Sequence, residues 1–231
     1  MMIDFLKTYG IEVNAEQAFL LDAHLHFVLE KNATLNLTSI TDYERALVLH
    51  VLDSLLALPE LDAAPEGALL DMGSGAGYPG LPLAILTGRP TTLLDAREKK
   101  INALQDFLSK QATSLSVEAV AARAEEFAGD HLSAYAAVTA RALSALPSLL
   151  ELASPLLQQG GRLLALKGQL SADELSRAAQ LVSATGLSLV GHREYSLPSG
   201  EHRGVAVYEK ISAAQVELPR RPGRAQRKPL A

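Results

Sequence analysis

Residues Asp71-Met-Gly73-Ser-Gly75-Ala-Gly77-Tyr78-Pro79-Gly80 follow directly on the apolar run Ala68-Leu69-Leu70. An apolar run that ends in an acid and then places glycine at alternate positions leaves few options. It predicts a strand and then a turn whose backbone passes close beneath a small ligand, because glycine permits positive φ and puts no Cβ in the way. Pro79 and Pro82 limit where the next helix begins, since proline is tolerated only in a helix's first turn. A second acid, Asp95, closes the next apolar run. Strand, glycine turn, helix start and second acid together form a cradle for a nucleotide-type cofactor. A plain surface turn would need neither acid.

The rest of the chain extends this pattern. Apolar, strand-like runs lie near 68–71, 91–95, 115–121, 135–140, 162–166, 187–194 and 203–209, and amphipathic stretches separate the first six. Such alternation predicts an α/β fold with a mostly parallel sheet covered on both faces. Ser196-Leu-Pro-Ser-Gly200 is too short for a helical crossover, so the seventh strand is expected to pair antiparallel. Ahead of the sheet, Asn14-Ala-Glu-Gln17 reads as a capping box opening a helix through about Lys31, with Ala18, Leu21, Leu25 and Val28 on one stripe. A polar break over 32–41, a second helix over 42–58 and a linker over 59–67 follow. The expected organisation is a helical cap (1–64), an α/β core (65–212) and a basic tail (213–231).

Composition narrows the partners. The chain of 231 residues has no cysteine, which excludes disulfides and thiolate metal sites, and its six histidines show no zinc spacing. No metal is expected. The first ten residues lack the architecture of a secretory signal, and no apolar run would span a bilayer, so a cytoplasmic protein without a membrane partner is expected. Net charge is −5, but 217–231 carries five bases against one acid, a local +4 that leaves about −9 on the remainder. Arg220, Arg221, Arg224, Arg227 and Lys228 are interleaved with Pro219, Pro222, Gly223 and Pro229. That predicts an extended or mobile arm, either an electrostatic contact for RNA phosphates or a solvated terminus.

The cofactor follows from position. Gly75-x-Gly77-x-x-Gly80 matches the dinucleotide fingerprint as a string, but it starts two residues after Gly73, the first glycine beyond the strand. Asp-x-Gly-x-Gly-x-Gly instead resembles motif I of class I S-adenosylmethionine (SAM) methyltransferases. Further segments resemble one family, the bacterial small-subunit ribosomal RNA guanine-N7 methyltransferases (RsmG, or glucose-inhibited division protein B). They are Asn36-Leu-Thr-Ser-Ile40, His50-Val-Leu-Asp53-Ser54, Arg123-Ala-Glu125-Glu126-Phe127, Arg141-Ala142, Lys167-Gly168 and Pro219-Arg-Arg-Pro-Gly223, in the family's order. The chain departs from the pattern where Leu29-Glu-Lys-Asn32 lacks an aromatic residue, and at Ala96 and Ala124.

The resemblance implies a class I, Rossmann-like fold and SAM-dependent methylation of N7 of a guanosine in the 530-loop region of 16S ribosomal RNA. The naked RNA or the small subunit would be the partner, and a monomer the expected state. Another RNA substrate, or a non-catalytic RNA-binding assembly factor, are the alternatives. The resemblance assigns cofactor contacts to Gly73, Tyr78, Ala124, Glu125 and Arg141, and the glycine turn adds Gly75. Asp95 fits an acceptor for ribose hydroxyls, Ala124 and Glu125 a reader of the adenine edge, and Arg141 a clamp on the methionine carboxylate. Asp95 and Glu125 read otherwise as solvated acids, and Arg141 as a surface ion pair. His50 and Asp53 are expected to dock the cap rather than act as a base. Lys167 either meets RNA phosphate or is merely solvated. No catalytic side chain is assigned, because N7 already carries an in-plane lone pair.

Overall fold

The computed structural model describes residues 2–231. A short helix, α1 (Met2–Lys7), precedes α2 (Ala15–Leu35). Asn14 Oδ1 accepts the Gln17 N–H at 2.9 Å, and Gln17 Oε1 accepts the Asn14 N–H at 3.0 Å. That reciprocal cap is the one read from the sequence. The helix runs past Lys31 and stops at Asn36, whose φ of 48° is left-handed. The expected second helix is broken into α3 (Tyr43–Ala46), a π-helical turn (Leu47–Leu52) and α4 (Asp53–Leu55). Next comes α5 (Leu58–Asp62), which starts at the last residue of the expected second helix and runs into the stretch read as linker. Pro59 lies in its first turn, where its missing N–H costs nothing.

Strands and helices then alternate: β1 (Leu69–Met72), α6 (Gly80–Thr87), β2 (Thr91–Asp95), α7 (Glu98–Gln111), β3 (Val117–Ala121), α8 (Ala124–Phe127), β4 (Tyr135–Arg141), α9 (Leu146–Ala153), β5 (Leu157–Lys167), α10 (Ala172–Ala179), α11 (Val182–Thr185), β6 (Leu187–Ser196) and β7 (His202–Lys210). The seven strands form one sheet in the order β3-β2-β1-β4-β5-β7-β6. β1 to β5 pair in parallel, and β7 runs antiparallel between β5 and β6. This is the class I methyltransferase architecture expected from the alternation. In such a sheet the carboxyl ends of β1, β2, β3 and β4 lie side by side, where open α/β sheets bind ligands.

The N-terminal helices share the core of the sheet. Leu21, Leu25 and Val28 of α2 and Leu52 of the π-helical turn are fully buried in one cluster with Leu81, Ile85, Leu104 and Phe107. Each such side chain contributes about 1.5–3 kcal/mol relative to exposure. On the other face, Leu146, Leu149 and Leu150 of α9 pack on Val138, Leu163 and Ala165.

The basic tail departs from expectation, because it is folded onto the body. Arg220 Nε donates to Glu151 Oε2 at 2.7 Å, and the Leu230 N–H donates to the other oxygen of that carboxylate at 2.6 Å. Ser148 Oγ donates to Ala225 O at 2.9 Å, and Ala225 is buried. Between Pro222 and Pro229 there is room for one helical turn, α12 (Arg224–Arg227), entered through left-handed Gly223 (φ 74°). The sequence reading failed here because a proline-rich segment lacks helical periodicity of its own; its order comes from α9. Arg220 is therefore an internal ion-pair partner. Arg221, Arg224, Arg227 and Lys228 remain exposed.

Candidate active site

The glycine turn is held from three sides. Gly73 and Ser74 both donate their N–H groups to Leu94 O, at 2.7 and 2.9 Å, tying the turn to β2. Asp71 Oδ2 accepts the Gly80 N–H at 2.8 Å while Oδ1 accepts the Thr139 hydroxyl at 3.0 Å. A Cβ at Gly80 would lie 2.4 Å from the Asp71 Cβ, so glycine is required there by packing. Asp71 is completely buried, and burial raises its pKa to about 6 against the opposing pull of these two bonds. The first acid of the motif thus braces the turn and faces no cavity.

The third support comes from the cap. His24 Nε2 lies 2.8 Å from Ala76 O, an acceptor only, so the ring carries its proton on Nε2 and donates it. Burial lowers the His24 pKa to about 4, which keeps the ring neutral. A Cβ at Gly77 (φ 93°) would come within 3.1 Å of that same Nε2. His24 in turn packs on Tyr78, with ring centroids 4.6 Å apart, and Tyr78 stacks on His50 at 4.8 Å. Burial and the Arg141 charge lower the His50 pKa to about 3, and its Nε2 is 2.9 Å from Thr38 Oγ1. Helix α2 and the π-helical turn therefore reach the glycine turn through an aromatic column.

Above the turn lies a cavity of about 440 Å³, within the ~300–1,000 Å³ typical of small-molecule sites. Gly73, Gly75, Tyr78, Asp95, Ala124, Glu125 and Arg141 all line it. The fold thus brings together every residue that the sequence assigned to the cofactor. Asp95 accepts the Gly75 N–H at 3.0 Å through Oδ2 and the Arg97 N–H at 2.8 Å through Oδ1. Ala124 and Glu125 open α8, so their N–H groups belong to a first turn without intrahelical acceptors. Ser74 Oγ, also lining the cavity, is buried without a partner.

Two assignments change in character. The Glu125 side chain is shared with the tail: its Oε1 accepts the Gly223 N–H at 2.6 Å, which leaves acceptor capacity on the same carboxylate for a ligand. Arg141 is shared with the cap through one of its two terminal nitrogens. Its Nη1 donates to Leu49 O at 3.1 Å and to Asp53 Oδ2 at 3.0 Å, and its guanidinium lies over Tyr78. Asp53, almost fully buried, also pairs with Arg203 at 3.2 Å. Arg141 and Asp53 join cap to sheet, the docking role expected of His50 and Asp53. Lys167 lies outside this cavity and bonds Glu174 Oε1 at 2.8 Å and Ser144 O at 3.0 Å. Its charge is therefore paired rather than merely solvated.

The sequence reading missed Ser74, Lys100 and Gln226, all of which line the cavity. Lys100 had a signal, in the first turn of the helix that opens shortly after Asp95. Gln226 had none, because only the folded tail carries it there.

Comparison with other proteins now decides the family. A profile described as GidB, rRNA small subunit methyltransferase G, matches residues 17–196. The chain belongs to that family. The rRNA small subunit methyltransferase G of Pelotomaculum thermopropionicum is 35% identical over 230 residues, covering 97% of this chain and 95% of the relative. That of Thermotoga sp. (strain RQ2) is 36% identical over 228 residues, covering 98% and 97%. Among solved structures, the Burkholderia thailandensis 1,6-didemethyltoxoflavin-N1-methyltransferase, with 1,6-didemethyltoxoflavin and S-adenosylhomocysteine bound, superposes with a TM-score of 0.54. It is 17% identical and covers 87% of this chain and 92% of its own, a likeness of fold. Membership of the rRNA small subunit methyltransferase G family makes ribosomal RNA methylation the activity to explain. Among the described residues, no helix is long and apolar enough to cross a membrane.

Proposed function

We propose that this protein methylates N7 of a guanosine in the 530-loop region of 16S ribosomal RNA, using SAM held in the cavity above the glycine turn. The observation that carries the reading is that Gly73, Asp95 and Ala124, at or just beyond the carboxyl ends of three neighbouring strands, converge on one cavity in a chain of this family. The lining fits the group. Asp95 can accept ribose hydroxyls in addition to its two backbone donors, since a carboxylate has about four lone-pair sites. The first-turn N–H groups of α8 and the partnerless Ser74 hydroxyl offer donors.

A dinucleotide fits poorly. The N-terminus of α6, where a pyrophosphate would sit, already has its Gly80 N–H bonded to the buried Asp71 carboxylate, which would repel a second anion.

Bound SAM would supply an electrophilic methyl group to the N7 lone pair, its sulfur keeping the electron pair of the bond given up. No proton is removed at that step. The chain's share is placement: the glycine turn braced by Asp71 and His24 fixes one reactant, and the walls around it fix the other. The exposed Arg221, Arg224, Arg227 and Lys228 lie on the segment that carries Gln226 to the cavity, and can meet RNA phosphates there.

Mapping 7-methylguanosine in small-subunit rRNA from cells with and without the gene tests the reading. Loss of one modified guanosine is expected; an unchanged map would overturn it. Calorimetry of the purified protein should show binding of S-adenosylhomocysteine and none of NAD.

A further inference from the structure

A second cavity, of about 420 Å³, adjoins the first and shares His50, Arg141 and Ala142 with it. We propose that this chamber receives the target guanine, drawn out of its RNA stack, so that its N7 faces the cofactor cavity across the shared wall. The inference rests on the function proposed above and adds where the base goes and what recognises it.

The lining suits a purine with unlike edges. Ile40 and Leu49 from the cap and Leu166 from β5 give apolar surface for the ring faces, and Tyr195 adds an aromatic ring. Guanine presents two acceptors, O6 and N7, on its major-groove edge, whereas adenine presents an acceptor beside a donor there. The chamber offers fixed donors in Lys167 and Arg203 and one carboxylate, Asp53, held between Arg141 and Arg203. Donors suit O6, and a carboxylate suits the imino and amino N–H groups of the opposite edge. His50, in the shared wall, is kept uncharged by burial and by Arg141. It therefore adds nothing to the positive charge of Arg141, Lys167 and Arg203 around the base, and Asp53 offsets part of that charge when methylation makes the purine ring cationic.

Extrusion follows from recess. The chamber lies between the cap and the carboxyl edge of the sheet, with Leu49 almost fully buried on one side and Leu166 on the other. A base held in a helical stack does not reach that depth. Enzymes that must reach an atom so placed take the nucleotide out of the stack.

Gly168 supplies the test. It lines the second cavity and not the first, its φ is not in the left-handed region, and a Cβ there would meet nothing within 4 Å. Gly168→Phe should fill the chamber and disturb little else. In the full chain, this variant is expected to bind S-adenosylhomocysteine like wild type by calorimetry. Its formation of 7-methylguanosine in small-subunit rRNA should fall by about 100-fold or more, the scale of a misplaced reactant.

A second arm uses wild type alone: an RNA hairpin with 2-aminopurine beside the target guanosine should brighten on binding, as its neighbour leaves the stack. Wild-type turnover by Gly168→Phe, or tight hairpin binding without brightening, would overturn the proposal. If Gly168→Phe melts early, the fluorescence arm decides. Wild-type protein that yields no 7-methylguanosine would instead refute the underlying function.

Discussion

The carboxylate of Glu125 accepts the backbone N–H of Gly223 at 2.6 Å, joining α8 to the C-terminal segment across 98 residues of sequence. With the Arg220–Glu151 pair on the same segment, this contact makes the tail a wall of the cavity above the glycine turn. Glu151 is nearly inaccessible, its side chain 1% exposed, and it depends on Arg220 and on the Leu230 N–H for its partners.

Deleting Arg220–Ala231 is therefore expected to destabilise the protein by about 1–3 kcal/mol, because Glu151 loses both partners and the part of α9 beneath Ala225 is opened to water. Affinity for S-adenosylhomocysteine should fall as well, since Gln226 and the Gly223 contact are lost together. Urea unfolding and calorimetry check this. A truncated protein with the melting behaviour and affinity of the full chain would return the tail to the status of a free arm.

Arg141→Ala should lower stability and methyl transfer together. The guanidinium satisfies Leu49 O and half-neutralises Asp53, whose side chain is only 4% exposed. Removing one partner of a buried pair costs about 3 kcal/mol or more, though Arg203 retains a share of Asp53. An Arg141→Ala protein that unfolds at the wild-type urea midpoint would show that the pair contributes nothing to docking the cap.

Asp95→Ala is expected to weaken S-adenosylhomocysteine binding by roughly 1–3 kcal/mol, the cost of stranding hydrogen-bond partners in a shielded site. The Gly75 and Arg97 N–H groups would lose their acceptor at the same time. Isothermal titration of the folded variant decides it, and an unchanged dissociation constant would remove Asp95 from the ligand's contacts.

Stability should rise with pH across the acid range. His24 and His50 have pKa values near 4 and 3 in the fold, below the ordinary 6.5. Below that ordinary value the unfolded chain takes up protons that the native rings refuse, so their contribution is complete above 6.5 and lost as pH falls. Asp71, raised to about 6 from 3.8, works in the opposite sense and loses its contribution as pH rises through that window. Two histidines against one aspartate leave one net proton, or about 1.4 kcal/mol per pH unit between about pH 4.5 and 6. Unfolding free energies from urea titrations at several pH values should follow that slope, and His24→Gln should flatten it. A wild-type stability that falls as pH rises there would contradict the neutral-histidine picture.

What the sequence made legible was local and periodic. The alternation of runs gave the sheet, and the spacing of Asp71, Gly73 and Asp95 gave the place where its carboxyl edge opens. Residues in the turns after β1, β3 and β4 share one cavity because parallel topology puts those turns side by side. What stayed hidden depends on partners far along the chain. Arg141 meets Asp53 across 88 residues and Arg220 meets Glu151 across 69. Each side chain carries an obvious charge, but nothing in its neighbourhood says which opposite charge it will find. The break of the second helix was hidden for another reason: Leu47-Val-Leu-His-Val-Leu52 is apolar almost throughout, so it shows no phase from which a change of winding can be read.

That change of winding bears on how the family can vary. In the turn at Leu47–Leu52 the Asp53 N–H reaches back five residues to Val48 O, so the segment holds one residue more than an α-helix would need over the same rise. Excising any one of those six residues would leave hydropathy and net charge nearly unchanged. It would also return the segment to ordinary pitch over the same rise, so the turns on either side would keep their places. What would change is the phase inside the segment: with Val51 or Leu52 removed, His50 and Asp53 would stand two residues apart and no longer share a face. The wall between the two cavities thus depends on a supernumerary residue whose own side chain need only be apolar.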